Sequence, residues 1–127
     1  MLKRWFGRRR APDTLHVGGV VFLREQDGAP EQDLKQELVN LFQQRSDVNA
    51  AYLVTVSYQG RPEPSIALCI TGVPGTSRAE IANAVSTIFA RMFVVQEHLD
   101  IMFPSGVQEA QLEQVATPFF VRRSGPY

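Results

Sequence analysis

The stretch AAYLVTVSYQGRPEPSIALCIT (50–71) decides the fold. Side chains alternate between the two faces of a strand, so Tyr52, Val54, Val56 and Tyr58 share one face and Leu53 and Thr55 the other. Ile66, Leu68 and Ile70 likewise line one face of the return segment. Both faces are apolar or β-branched, which predicts strands inside a sheet. Gln59-Gly60-Arg61-Pro62 supplies the turn, and Pro62 and Pro64 stay at the entry, where a missing donor is tolerated. The segment is a central antiparallel hairpin.

Working outward, the periodicity changes to that of helices. Pro30 opens one, with Glu31 and Asp33 in its first turn, where acids suit the helix dipole. Leu34, Leu38, Leu41 and Phe42 form one apolar stripe, and the helix is expected to end near Arg45 or Ser46. Beyond the hairpin, Gly72-Val73-Pro74-Gly75 breaks the strand. Ser77 and Glu80 are spaced as a capping box before a second stripe, Ile81, Val85, Ile88, Phe89 and Met92.

The flanks add shorter elements. LHVGGVVFL (15–23) reads as a strand whose Gly18-Gly19 pair predicts a bulge or a close backbone approach. HLDIMF (98–103) reads as a strand, VQEAQLEQV (107–115) as a short helix and TPFFVRR (117–123) as a last strand. The order is β-α-β-β-α-β-(α)-β. This is an α+β domain, a mostly antiparallel sheet with two main helices packed on one face and a ferredoxin-like, split βαβ character. It is expected over residues 15–123, with an arm over 1–14 and a tail over 124–127.

Charge sets the arm apart. The chain has 13 basic and 13 acidic residues, but Lys3, Arg4, Arg8, Arg9 and Arg10 lie in its first ten positions with no acid. The other 117 residues are therefore net −5, a poor surface for nucleic-acid phosphates. In a short helix Leu2, Trp5 and Phe6 would share a face, a small interfacial anchor for an anionic membrane. Gly7 and the brevity of the segment weaken that helix, so a free arm, or one resting on the acidic body, is the leading expectation. A contact with a partner protein through Lys3, Arg4, Trp5, Phe6, Arg8, Arg9 and Arg10 comes next. The polar APDTLHVGG after Arg10 does not read as the apolar core of a signal peptide. A single cysteine, Cys69, fits a reducing cytoplasm.

The chain is sparing with chemistry. His98 and Asp100 stand at i and i+2 on one side of a strand, a pair that could relay a proton or ligate a metal. Sequence offers no local third ligand, and a plain histidine at a strand start is the blander account. His16 has no local partner. Cys69 falls mid-strand between Leu68 and Ile70, a position for filling a gap rather than for a reactive thiolate. GVPGTSRAE (72–80) lacks the spacing and lysine of a phosphate loop. Glu31, Asp33, Glu37, Asp47, Glu109 and Glu113 are expected on solvated helix faces and loops. No cofactor or metal is expected.

DVNAAYLVTVSYQG (47–60), EPSIALCITG (63–72) and the closing TPFF (117–120) together resemble the C-terminal domain of the SseB family. That bacterial family is named for an enhanced serine sensitivity phenotype. The likeness runs from about Val17 to Val121 and rests on core and turn positions. It implies a cytoplasmic bacterial α+β domain with no established reaction and assigns no site residue. Two departures stand out. A short basic arm replaces the second, N-terminal domain of longer members, and Pro118-Phe119-Phe120 lacks the phenol of the usual Pro-Phe-Tyr.

The sequence thus favours a non-catalytic module that binds a protein partner or self-associates, through sheet edges or an uncovered sheet face. A small-ligand binder or minor enzyme using His98 and Asp100 is the alternative, and membrane association through the arm a third.

Overall fold

The computed structural model describes residues 19–93 and 98–122. Its elements follow the expected order: β1 (Val20–Glu25), α1 (Ala29–Gln43), β2 (Ala50–Tyr58), β3 (Ser65–Thr71), α2 (Arg78–Met92), β4 (Asp100–Met102), α3 (Gly106–Glu113) and β5 (Phe120–Val121). The hairpin lies at the centre of one sheet, with strand order β1-β2-β3-β4. Antiparallel pairing sets Ala50 against Thr71 and Val56 against Ser65. β1 and β5 share the outer side of β2: β1 pairs with its second half, β5 with Ala50 and Ala51. β4 runs parallel to β3, so the βαβ character resides in β3-α2-β4. No helix among the described residues is long and apolar enough to cross a membrane.

Alternation divides the core in two. Leu53, Ile66, Leu68 and Ile70 meet Leu34, Leu38 and Phe42 of α1 and Ile81, Val85 and Ile88 of α2. The two long helices therefore cover one face of the sheet, as their stripes require. On the other face Tyr52, Val54, Val56, Tyr58, Ala67 and Cys69 pack with Val20, Phe22, Met102 and Leu112. Leu112 belongs to α3, so the short helix covers part of the face that the two long ones leave open. Cys69 is fully buried there, and burial pushes its thiol pKa up.

Several local readings are corrected. The bulge of β1 lies at Leu23, where the register slips between Phe22 and Arg24. Gly19 serves instead as a close approach, since a Cβ there would stand 3.0 Å from Gln59 Cβ. Ser77 makes no capping bond to α2. It ends a 3-10 turn over Gly75–Ser77 and is already in helical conformation. The capping box is at α3, where Ser105 accepts from the Gln108 amide and Gln108 Oε1 from the Ser105 amide. Paired backbone in the outer strands is shorter than the apolar patterns, three residues in β4 and two in β5.

The chain closes on its own first helix. Phe120 meets the ring of Phe42 at 5.6 Å. Arg122 donates to Phe42 O at 2.7 Å and to Val48 O at 2.9 Å. The last turn of α1 has no basic residue of its own, so a guanidinium from eighty residues later brings positive charge to it, adding to the bond that Phe42 O accepts from Arg45 N at 3.1 Å.

Candidate functional site

The sheet brings three polar groups together on the face shared with α3. β4 starts at Asp100, which lies beside Ala67 in the parallel register, and Ala67 in turn faces Val54. The β3 residues on that face, Ser65 and Ala67, are small. The Tyr58 side chain spans this gap, and its hydroxyl donates to Asp100 Oδ2 at 2.7 Å. From the other side His98 Nε2 meets Asp100 Oδ1 at 2.6 Å. The sequence-predicted pair is thus assembled, with Asp100 side chain 2% exposed and His98 15%. Arg61 of the β2–β3 turn lies 5.9 Å from the Tyr58 ring centroid.

The chemistry of this row follows from its acceptor. An ionised carboxylate only accepts, so each neighbour must bring a hydrogen. Tyr58 has one, and a neutral His98 meets the requirement as the Nε2–H tautomer. Nδ1 then carries the lone pair, the arrangement in which an acid orients an imidazole to accept a proton. No group of three or more His, Cys, Asp or Glu among the described residues is placed to hold a metal ion.

Sequence spacing does not single out Tyr58. The signal available was a phenol ending a strand of otherwise buried apolar residues. Reaching Asp100 from it requires β4 to pair with β3, which periodicity does not state.

Two of the acids expected in solvent belong to internal networks. Glu31 is buried at the start of α1 and accepts from Gln26 Nε2 at 2.6 Å, while Thr55 Oγ1 donates to Gln26 Oε1 at 2.6 Å. Lys35, one helical turn on, is buried too, 3.4 Å from Asp27 Oδ1. Asp47 accepts two bonds of 3.0 Å from Arg45, whose second partner is Glu80 at 3.2 Å. The Arg45 bonds hold the Asp47 pKa at about 2, with Ser77 assisting. Glu80, half of the expected capping pair, is therefore spent in tying Arg45, just after α1, to α2.

The second candidate is the free side of β1. No described strand lies beyond it in the sheet. Val20 and Phe22 point into the second core, while Val21 is 58% and Leu23 38% exposed. Gln59 N donates to Gly19 O at 2.7 Å, so Val20–Tyr58 is a non-hydrogen-bonded pair. The N–H and C=O of Val20, and of Phe22 two residues on, consequently turn away from β2. Lys3, Arg4, Trp5, Phe6, Arg8, Arg9 and Arg10 lie outside the described residues, as does His16.

The family model described as the SseB protein C-terminal domain matches residues 16–122. The chain belongs to this family. The match spans every element of the sheet, the hairpin and the closing Phe119-Phe120 included. Those residues have structural duties: Phe119 N donates to Ala51 O at 2.9 Å and Phe120 fills the helix-side core. No curated protein and no solved structure matches the chain significantly.

Proposed function

We propose that this SseB C-terminal domain is a non-catalytic protein-binding module that takes up an extended segment along the free side of β1. One observation carries the reading: an edge strand directs the backbone groups of Val20 and Phe22 outward and exposes Val21 and Leu23 beside them. Such edges pair with other chains unless they are blunted. The bulge at Leu23 and the charges of Arg24 and Glu25 limit the run of pairing without covering its start. A cytoplasmic bacterial setting suits the lone, buried Cys69. The test is affinity capture from a bacterial lysate with the wild type and Val21→Lys/Leu23→Lys, both shown folded by circular dichroism. Proteins retained by the wild type should be lost by the variant. An identical set from both would refute the edge.

The assembled Asp100–His98 pair favours a second reading, a small-molecule site that uses His98 Nδ1 as a proton acceptor. Nitrogen-15 NMR of the imidazole tests it. The Nε2–H tautomer should persist in wild type and disappear in Asp100→Ala, and a wild-type ring present as Nδ1–H would dispose of the site.

A further inference from the structure

We infer that the occupant of the β1 edge is a second copy of β1, paired antiparallel about a two-fold axis at Val21. The inference rests on the edge reading above and names its partner.

The geometry of the strand selects that register. Outward backbone groups belong to Val20 and Phe22. When two identical strands pair about Val21, Val20 of each copy lies opposite Phe22 of the other. Both positions then exchange N–H and C=O, and the two flat starts are used before the bulge at Leu23 intervenes. Pairing about Phe22 or Leu23 would instead carry the bulge and Arg24 into the contact.

Side chains agree with it. Val21, the most exposed apolar residue of β1, meets its own copy directly across the axis. Leu23 falls opposite Gly19 of the other copy, which has no side chain to obstruct it. Val20 and Phe22 remain on the α3 side, where the second core of each copy would extend toward the axis. Four strands on one side of the dyad and four on the other would make one continuous sheet, with β5 beside β2 in each half. Self-pairing of this kind is isologous, so one patch suffices and the assembly closes at two.

Position 21 gives a direct test. Across the axis it is a non-hydrogen-bonded pair, whose Cα atoms in an antiparallel sheet lie about 4.5 Å apart, within disulfide range. Cys69 is buried and takes no part. Full-length Val21→Cys under a mild oxidant should become a disulfide-linked dimer, while Val107→Cys, an exposed position on α3, should not. Sedimentation equilibrium of the wild type should show a monomer–dimer equilibrium, with the dimer Kd raised roughly tenfold in Val21→Lys. A wild type monomeric at millimolar concentration overturns the second copy, and lysate capture by the same edge would then leave the binding reading standing. A dimer indifferent to Val21→Lys, or equal cross-linking at Val21→Cys and Val107→Cys, also overturns it. A photo-crosslinker at position 21 that reacts with residues 1–18 of its own monomer would overturn both readings.

Discussion

Tyr58→Phe removes one oxygen and nothing else from the row on the α3 side of the sheet. The ring stays, so the packing among Val20, Val56 and Phe22 is preserved. The loss is the 2.7 Å bond to Asp100 Oδ2, an acceptor whose side chain is 2% exposed. Water cannot reach Asp100 freely to replace the donor, and a hydrogen bond to a charged group contributes about 1.5–3 kcal/mol. His98 keeps its bond at 2.6 Å, which favours the lower half of that range. For a domain of this size each kcal/mol moves Tm by about 3–6 °C. A fall of roughly 5–10 °C in Tm, with an unchanged m-value in urea, is the expected result. Circular dichroism gives both measurements. The double variant Tyr58→Phe/His98→Gln should lose less than the sum of its singles if the two donors share one acceptor, and more if each covers for the other. Stability of Tyr58→Phe within about 0.5 kcal/mol of the wild type would refute the claim that Asp100 depends on the phenol.

Phe42→Ala should cost about 3–5 kcal/mol in urea unfolding, because the ring is fully buried in the helix-side core against Phe120; a loss below about 1 kcal/mol would contradict that packing. Gly72 and Gly60 both have positive φ, +79° and +83°, but an added Cβ meets Asn49 at 2.5 Å only at Gly72. Gly60→Ala should therefore cost about 1 kcal/mol and Gly72→Ala distinctly more, and equal losses would contradict the contact. The Asp47 pKa is lowered to about 2 from 3.8, so its contribution is fully present above about pH 4 and fades as pH falls toward 2. Asp47→Asn should flatten that acid limb of the stability curve, and a limb identical to wild type would show that Arg45 does not hold it.

Legibility of the fold followed the reach of its forces. The hairpin and both helix stripes were readable because alternate residues of β2 and β3 answer to one or other of two cores, and each turn of α1 and α2 to the first. The ends were not. Apolar alternation over 98–103 and 117–123 outlasts the paired backbone of β4 and β5, because side chains keep packing where ladders stop. Local spacing misled at Ser77 and Glu80, whose capping geometry loses to the Arg45–Asp47 pair brought in from another element. It misled again at Glu31, drawn inward by Gln26. Two of the three groups of the polar row were visible, since His98 and Asp100 are two apart in the sequence. The Tyr58 contribution depends on strand order, and the open side of β1 on where the sheet of described strands stops.

Arg122 has a consequence for the order of events in synthesis. As a nascent chain lengthens, α1, the hairpin and α2 are all present before residue 122 is made. Until then the Phe42 carbonyl lacks the Arg122 guanidinium, and the outer edge of Ala50–Ala51 and the site that receives Phe120 have no partner from β5. The early folded core should therefore be an open form, recognisable to chaperones by that uncovered corner. The domain passes to its closed form only once residues 120–122 have been made and have docked, so the last strand of the sheet acts as the timer of its maturation.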